Sequence, residues 1–354
     1  MAQPMSLSLP GSGIPEAQLQ VAYAAGATLA GQLADPRVLA VFGFGSAAPS
    51  SDDPRWLRIA LEPLRQAAPC IEVWRAAGPV VHGRDRNVAW ASDGRLLFGA
   101  MEIDEDASGD GLEAATAAAY ARLSTFMAGA GRHTPHLLRV WNYMDAITRG
   151  EGDAERYRRF CIGRVAGMGG VAETSQLPAA TAIGTCDGRR RLQVYWLASR
   201  DPGTPVENPR QLSAWRYPRQ YGPQSPSFAR AMLPPAGAAM PLLLSGTAAV
   251  VGHASQHSDS VAAQLDETLA NLESLVGAAR GLAPSLPAAF GPGSPLKVYL
   301  RNPDDAAAIA ARLEARLDPS VPRLLLHAHV CRRELLVEID GAHGASVDRD
   351  ADSA

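Results

Sequence analysis

The sequence predicts an α+β protein, in which helices lie across β-sheets. Residues 38 to 103 contain short apolar runs, such as VLAVFGFG and GRLLFGAMEI, separated by turn residues, and this pattern is typical of strands. A helix is predicted from about Leu112 to Met127, where apolar residues recur at helical spacing. A second amphipathic helix is predicted from Asp153 to Val165. The first part of the chain should therefore be a sheet with a helix across it.

From Met240 onward the sequence again predicts a succession of strands and helices. The segment MPLLLSGTAAVVG predicts a strand pair or a bent strand, and a long amphipathic helix follows, with Asp259 expected at its start and Gly281 at its end. The segment LKVYL predicts another strand, and Asn302 opens the next helix. The last apolar runs, RLLLHAHV and LLVEIDG, are expected to form an antiparallel hairpin.

Length and composition limit the classes of protein to which the chain can belong. The 354 residues are 47% apolar, which is enough for two or three packed units. The net charge is −3 and no basic run alternates with aromatics, so a nucleic-acid partner is not expected. No 18-residue apolar run and no signal-peptide pattern occurs, and the four cysteines form no CxxC pair. We expect a cytoplasmic protein with reduced thiols and no membrane partner.

Residues 201 to 235 form a long irregular segment rich in proline, glycine, aromatics and arginine. A segment of this kind is an active-site loop or a linker, and the density of aromatic residues favours an ordered loop. Tyr217 and Arg230 are its candidate ligand-binding residues, with an aromatic plug and a surface charge as the alternatives. Upstream, Tyr157 and Arg164 share one face of the second predicted helix, where the arginine either reaches solvent or binds an anion.

The segment LLVEIDG places Glu338 in an alternating pattern whose other members are largely apolar. A solvated sheet edge would explain the carboxylate, and so would a catalytic acid in a half-buried setting. Cys331 lies just before this strand. Histidine pairs also suggest a metal hydrolase, since His253 and His257 are four apart and His327 and His329 share a strand face. No HExxH-type motif accompanies them, so we expect no catalytic metal.

The segments SGTA, KVYLRNPDD, PRLLLHAHV and LLVEID resemble the RidA (YjgF) family. In that family a mixed sheet lies against two helices, and an arginine and a glutamate of the last hairpin line a small-molecule cleft; Arg323 and Glu338 stand at the matching places. A longer resemblance, through RVWNYMDAI, ERYRRFCIGR, LPAATAIGT, ENPRQLSAWRYPRQYGPQSPSFARA, LSGTAAVVGHAS and VCRRELLVEIDG, is to the chorismatase family. This resemblance implies two RidA/YjgF-like domains.

The resemblance sets the expected domain boundaries. An N-terminal α+β domain is expected over residues 1–136 and a RidA-like catalytic domain over 137–342, with an active-site loop at 201–235. The tail 343–354 is expected to be disordered. RidA relatives form trimers, but because two related domains in one chain satisfy some of those contacts internally, we expect a monomer, with a trimer as the alternative.

Chorismatases release pyruvate from chorismate without a metal or organic cofactor. Some members hydrolyse the enol ether to a dihydroxycyclohexadiene carboxylate, and others form 3-hydroxybenzoate, sometimes with 4-hydroxybenzoate. The resemblance places this chain in the aromatising class, because it has Cys331 and Gly246 where hydrolytic members have an aliphatic residue and alanine. It implies Glu338 as general acid, Cys331 as a second catalytic residue that guides proton movement or, alternatively, only shapes the cavity, and products that supply ubiquinone or aryl-polyene pigment synthesis. The expected substrate-binding residues are Tyr157, Arg164, Tyr217, Arg230, Gly246 and Arg323.

A RidA-like imine deaminase or a metabolite-binding protein is the alternative function. Its support is the C-terminal pattern alone. The aromatic and arginine-rich loop argues against it, because a RidA unit needs no such segment.

Overall fold

The computed structural model describes residues 17–105, 111–130, 135–169 and 176–346, and within them it contains three main β-sheets and a two-stranded ribbon. The first sheet has the strand order β1-β4-β2-β3, with β2 and β3 parallel and the other pairs antiparallel. A short helix lies between β1 and β2. The elements are β1 (Leu19–Ala25), α1 (Leu29–Ala34), β2 (Val38–Phe44), β3 (Trp56–Ile59) and β4 (Cys70–Ala76).

The second sheet has six strands in the order β5-β6-β7-β10-β8-β9, with only β8 and β9 parallel. Two helices bury aromatic residues against one face, among them Tyr120 and Phe160, which pack with Trp196 of the sheet. The elements are β5 (Val81–Asp85), β6 (Val88–Ser92), β7 (Leu96–Asp104), α2 (Gly111–Gly129), β8 (His136–Asp145), α3 (Arg156–Gly167), β9 (Ala179–Thr185) and β10 (Arg191–Ser199).

The third sheet also has six strands, in the order β11-β12-β13-β18-β16-β17, with β16 and β17 parallel. Two helices again cover one face, and a two-stranded ribbon, β14 with β15, follows the third strand. The elements are β11 (Thr204–Val206), β12 (Ala231–Leu233), β13 (Leu242–Ala248), β14 (Val250–Val251), β15 (Ala254–Ser255), α4 (Val261–Leu282), β16 (Leu296–Leu300), α5 (Ala306–Arg316), β17 (Arg323–His327) and β18 (Val337–His343).

The three sheets repeat one topology. In the second and third sheets, three antiparallel strands come first, the last strand of the unit lies beside the third, and a parallel pair completes the sheet. The first sheet has the same order without its first two strands. All three contribute to one central core, where Phe42, Tyr195 and Tyr299 are buried. The predicted α+β class with two related domains is therefore confirmed, and a third, shorter unit joins them.

The predicted domain boundary at residue 136 does not coincide with a change from one sheet to the next. The expected boundary between residues 136 and 137 falls at the start of β8, and β8 pairs with β10, which in turn pairs with β7. The second sheet therefore takes strands from both sides of that boundary. The change from the second sheet to the third comes between Ser199 and Thr204.

The predicted hairpin of β17 and β18 is wrong. Strand β16 lies between them, paired in parallel with β17 and antiparallel with β18. The reason is the helix between β16 and β17, because a strand, a crossover helix and a next strand form a parallel pair. The last strand then enters the sheet on the other side of β16.

Several element ends differ from the predicted ones: helix α3 spans Arg156–Gly167 instead of Asp153 to Val165. Helix α4 begins after Ser260, whose hydroxyl accepts a hydrogen bond from the backbone N–H of Ala263 at 3.2 Å, so Asp259 is not the cap. The helix continues past Gly281 to Leu282. The expected disorder of the tail 343–354 is wrong for its first residue, because the His343 ring is buried against the Ser294 hydroxyl at 2.9 Å. Residues 347–354 lie outside the described residues.

The segment 201–235 is ordered, as predicted. It contains β11, β12 and two single-turn 3₁₀ helices. Arg219 of this loop pairs with Asp153, at 2.6 Å, and so ties the loop to the chain that precedes α3. Among the described helices, none has the length and apolar character needed to cross a membrane.

Candidate active site

A cavity of about 460 Å³ lies where the second and third sheets meet. One wall is formed by α3 and β9, and the facing wall by β13, β18 and the residues just before β18. The ordered loop closes the side between them. The cavity is therefore built from both complete units and from the loop that connects them.

Strand β18 directs Glu338 into this cavity. Val337 and Ile339 point to the other face, into the core beneath α4 and α5, and Glu338 and Asp340 face the second sheet. Both carboxylates are buried, with Glu338 only 5% exposed. The solvated-edge explanation of Glu338 is therefore wrong, because β18 lies between β13 and β16 rather than at an edge.

The surroundings of Glu338 favour its neutral form. Burial and, after it, the negative charge of Asp340 raise the pKa of this carboxyl to about 8, against the opposing effect of Arg139 and Arg230. A carboxylic acid with such a pKa is protonated at neutral pH. Glu338 can therefore act as a proton donor inside the cavity.

Gly246 lies directly against this acid. A Cβ atom at residue 246 would be 2.0 Å from Oε1 of Glu338 and 3.3 Å from Oγ1 of Thr181. Any larger side chain would displace the carboxyl group, since atoms do not approach this closely. The absence of a side chain at Gly246 thus sets the position of Glu338.

Thr181 connects Gly246 to a buried network. Its Oγ1 accepts a hydrogen bond from the Gly246 backbone N–H at 3.0 Å and donates to Oδ2 of Asp340 at 2.7 Å. The same carboxylate oxygen accepts hydrogen bonds from Arg139 at 3.2 Å and from Trp141 at 3.0 Å. These contacts hold Asp340 in place, so that its charge acts on Glu338 from a fixed position.

Arg164 brings an unpaired guanidinium group to the opposite wall. Helix α3 places this residue on the same face as Phe160, and its guanidinium carbon lies 5.1 Å from the centre of the Tyr120 ring. The side chain is 4% exposed, and within the described residues its Nε and Nη2 have no hydrogen-bond partner. Buried, unpaired donors on a cation are costly without an anion, so this group is suited to bind one.

Arg230 supplies a second guanidinium group. One of its nitrogens donates to the Leu212 carbonyl and to the Tyr217 hydroxyl, each at 2.8 Å, and its Nε lacks a partner among the described residues. The rings of Tyr217 and Phe228 lie 5.6 and 5.1 Å from its guanidinium carbon. Because Tyr217 holds Arg230, the two loop residues act as one unit.

Seven of the eight predicted site residues line the cavity: Tyr157, Arg164, Tyr217, Arg230, Gly246, Cys331 and Glu338. Arg323 does not. It lies on the outermost strand of the third sheet, β17, and its guanidinium is 4.0 Å from the Glu314 carboxylate of α5. The prediction for Arg323 is wrong because it depended on a hairpin with β18 that does not form.

The thiol of Cys331 and the phenol of Tyr157, which line the same cavity as Glu338, are neutral. Burial and the neighbouring Glu338 raise the pKa of the Cys331 thiol far above its ordinary range. Burial also raises the pKa of the Tyr157 hydroxyl well above its ordinary value. Both side chains can donate a hydrogen bond, but neither supplies an anion.

Sequence reasoning missed two residues that shape the cavity. Thr181 lies in the quoted segment PAATAIGT, yet a threonine in a strand gives no signal of a polar role. Arg332 lies at the cavity wall, with its guanidinium carbon 4.0 Å from the centre of the Tyr221 ring. Its position next to Cys331 in the chain was the only indication in the sequence that Arg332 lies at the site.

The histidine pair 253 and 257 does not form a metal site. His253 contacts the Tyr221 hydroxyl through Nδ1 at 3.2 Å, whereas Nε2 of His257 is 3.3 Å from the carboxylate of Glu267. The two rings thus face different partners. In the described part of the chain, neither belongs to a cluster with metal-ligand spacing.

Comparisons with known proteins agree with this architecture. Residues 72–198 match the family model described as Chorismatase FkbO/Hyg5-like, N-terminal. A crystal structure of a chorismatase at 1.08 Å resolution has a TM-score of 0.80 and 31% sequence identity to this chain, and the match covers 94% of this chain and 100% of that one.

Two curated relatives match most of the chain. A chorismatase of Streptomyces rapamycinicus is 36% identical over 279 residues, which are 76% of this chain and 81% of the relative. A 3-hydroxybenzoate synthase of Streptomyces hygroscopicus is 34% identical over 284 residues, or 78% and 82% of the two chains. The extent of these matches and the shared fold show that this chain belongs to the chorismatase family of enzymes.

Proposed function

We propose that this enzyme converts chorismate to pyruvate and 3-hydroxybenzoate, with 4-hydroxybenzoate as a second product. The observation that carries the proposal is one cavity that holds a buried, protonated carboxyl group, Glu338, and two guanidinium groups with unpaired donors, Arg164 and Arg230. Chorismate is a dianion with an enol ether, and such a substrate needs two fixed cations and an acid. The curated relatives named chorismatase and 3-hydroxybenzoate synthase support the same assignment.

Arg164 and Arg230 bind the two carboxylates in this proposal. A guanidinium group orients a planar carboxylate as well as neutralising it. Tyr157 and the Tyr217 hydroxyl add donors for a carboxylate or for the ring hydroxyl. Because both cations are buried, each contact forms in a setting where water competes little.

Glu338 starts the reaction by protonating the methylene carbon of the enolpyruvyl group. The ring hydroxyl then displaces this group within the molecule and gives an arene oxide, and pyruvate leaves. Opening of the arene oxide with loss of a ring proton gives a hydroxybenzoate, and the direction of opening decides between the two isomers. One chorismate thus yields one hydroxybenzoate and one pyruvate, and neither water nor an oxidant is consumed.

Incubation of the purified enzyme with chorismate tests the proposal. We expect pyruvate and hydroxybenzoate in equal amounts, with both isomers resolved by chromatography. Pyruvate together with a dihydroxycyclohexadiene carboxylate would assign the enzyme to the hydrolytic class instead. Absence of pyruvate would refute the proposal altogether.

The pH dependence of kcat/KM should report the Glu338 proton. The acid form is the active one, so kcat/KM should fall as the pH rises through the Glu338 pKa of about 8. Asp340→Asn removes the adjacent negative charge, which lowers that pKa, and should move the alkaline limb to lower pH. An unchanged limb in a folded Asp340→Asn variant would contradict this assignment.

Gly246→Ala should displace the acid. The new Cβ would overlap Oε1 of Glu338, which must then move away from the enol carbon. We expect kcat to fall by about 10²-fold, the lower end of what a positioned general acid contributes. Wild-type kcat and product composition in Gly246→Ala would show that this contact is not important, and Gly277→Ala, on α4 with open space around it, is the matched control.

Cys331→Ala tests whether the thiol guides the proton that leaves the ring. The thiol lies in the same cavity wall as Glu338 and stays neutral, so it can donate a hydrogen bond to the intermediate. We expect a changed ratio of 3- to 4-hydroxybenzoate with pyruvate release retained. An unchanged ratio would leave Cys331 a purely steric role.

We also propose that the enzyme is a cytoplasmic monomer that supplies hydroxybenzoates for ubiquinone or aryl-polyene pigment synthesis. Three units of one topology packed around a shared core support the monomer. The four unpaired cysteines are consistent with a reducing compartment. Gel filtration combined with light scattering would distinguish the monomer from a trimer.

A further inference from the structure

A cysteine and two histidines lie together outside the active-site cavity. Cys186, His327 and His329 each offer one ligand atom, and these atoms all lie within 4.8 Å of one another. None of the three is among the residues that line the cavity. We propose that these side chains bind one divalent cation of the zinc class, at a site separate from the active site.

Backbone pairing holds the cluster in place. The N–H of Gly184 donates to the His329 carbonyl at 2.7 Å, and the N–H of His329 donates back to Gly184 at 2.9 Å. The N–H of His327 donates to the Glu62 carbonyl at 2.8 Å. The histidine segment is thus fixed to the second sheet and to the chain that follows the first sheet, so the ligands are positioned before any ion binds.

The local chain geometry explains why the three side chains converge. His327 and His329 are two residues apart in extended chain, so both rings project to the same side. Cys186 follows the last residue of β9 and lies beside them, across the Gly184–His329 pair. A Cβ at Gly184 would be 2.9 Å from the Cβ of His329, so the glycine permits this close approach.

The donor set matches zinc chemistry. One thiolate and two imidazoles are preferred by Zn²⁺ and by Co²⁺ as its substitute, whereas Mg²⁺ and Ca²⁺ prefer oxygen ligands. Each imidazole offers one ring nitrogen to the cluster. Water would complete the fourth position of a tetrahedral site.

Binding requires that Cys186 lose its proton. The cation displaces the thiol proton, so the S–H bond is exchanged for an S–metal bond with release of one H⁺. Metal binding therefore changes the oxidation state of neither the sulfur nor the metal.

The site would stabilise the junction of the sheets rather than take part in catalysis. The ion would connect the end of β9 in the second sheet to the chain that leaves β17 in the third. His329 lies two residues before Cys331, so the same ion would restrain the start of the segment that enters the cavity wall. We expect a higher melting temperature with Zn²⁺ and little change in turnover.

Titration of the chelator-treated, full-length protein with Co²⁺ tests the site. We expect one equivalent to bind, with a thiolate-to-cobalt charge-transfer band that Zn²⁺ removes. Cys186→Ser should lose this band, and His327→Gln and His329→Gln should lose both the band and the Zn²⁺-dependent rise in melting temperature. Circular dichroism confirms that each variant is folded.

Cys70→Ser and His82→Gln are the matched controls, since both residues lie outside the cluster. They should bind Co²⁺ as the wild type does. Failure of the wild type to bind Co²⁺, or a band that persists in Cys186→Ser, would overturn the proposal. Neither result would affect the proposed reaction, because chorismate turnover does not depend on this site.

Discussion

Glu338→Gln should lose about 10²- to 10⁴-fold in kcat while the affinity for chorismate is retained. Glutamine fills the same volume but cannot deliver a proton to the enol carbon. The binding cations Arg164 and Arg230 remain, and the variant removes no buried charge, because the wild-type carboxyl is neutral below its pKa of about 8. Steady-state pyruvate release gives kcat, and calorimetric titration with chorismate gives the affinity.

Asp93→Asn is the matched control for this variant. Asp93 is a partly buried carboxylic acid with a pKa raised by burial, and it does not line the cavity. A raised pKa alone should therefore not make a residue essential, and this variant should keep nearly all of its activity. If Glu338→Gln turned over chorismate at the wild-type rate, another group would have to supply the proton.

The chemical character of the site could be predicted from local patterns. The alternation in LLVEIDG indicated a strand on which the Glu338 carboxylate shares one side with an apolar residue. The helical spacing in ERYRRFCIGR placed Arg164 beside aromatic residues. Both patterns have periods of only a few residues, so they are visible in one segment. The same holds for the aromatic loop that carries Tyr217 and Arg230. The meaning of Gly246 and Cys331 came from the family resemblance and not from spacing.

The pairing of distant strands could not be predicted in the same way. Whether β18 lies beside β17 or beside β16 depends on the crossover helix and on which edge of the sheet remains free, and neither is written in the strand itself. This is why Arg323 was placed in the site and Thr181 was not. The Thr181 hydroxyl becomes important only when β9 of one sheet meets Asp340 of another.

The same limit applies to the repeated topology. Length and composition allowed two or three units and the resemblance implied two, whereas the structure has a third, which lacks two of the six strands. The central core joins all three units through aromatic contacts; the ring centres of Phe42 and Tyr195, for example, are 4.8 Å apart. Contacts of this kind between segments far apart in the chain follow from packing and cannot be read from periodicity.

Arg164→Met should reduce kcat/KM by about 30-fold to several thousand-fold, which corresponds to about 2 to 5 kcal/mol for a truncated buried charge pair. Methionine keeps most of the apolar stem that packs near Tyr120 but removes the unpaired donors. Arg164→Lys keeps the charge but lacks the planar guanidinium group, so its kcat/KM should lie between those of the wild type and Arg164→Met. The loss should appear chiefly in KM if Arg164 binds substrate and transition state equally.

Arg323→Met is the control that separates this site from a general effect of positive charge. Arg323 lies on the outermost strand of the third sheet, away from the cavity, and pairs only loosely with Glu314. Both variants remove one arginine and one charge, so they change the field of the whole protein similarly. We expect wild-type kcat/KM from Arg323→Met; an equal loss in both variants would mean that long-range attraction, and not a bound carboxylate at Arg164, accounts for the effect.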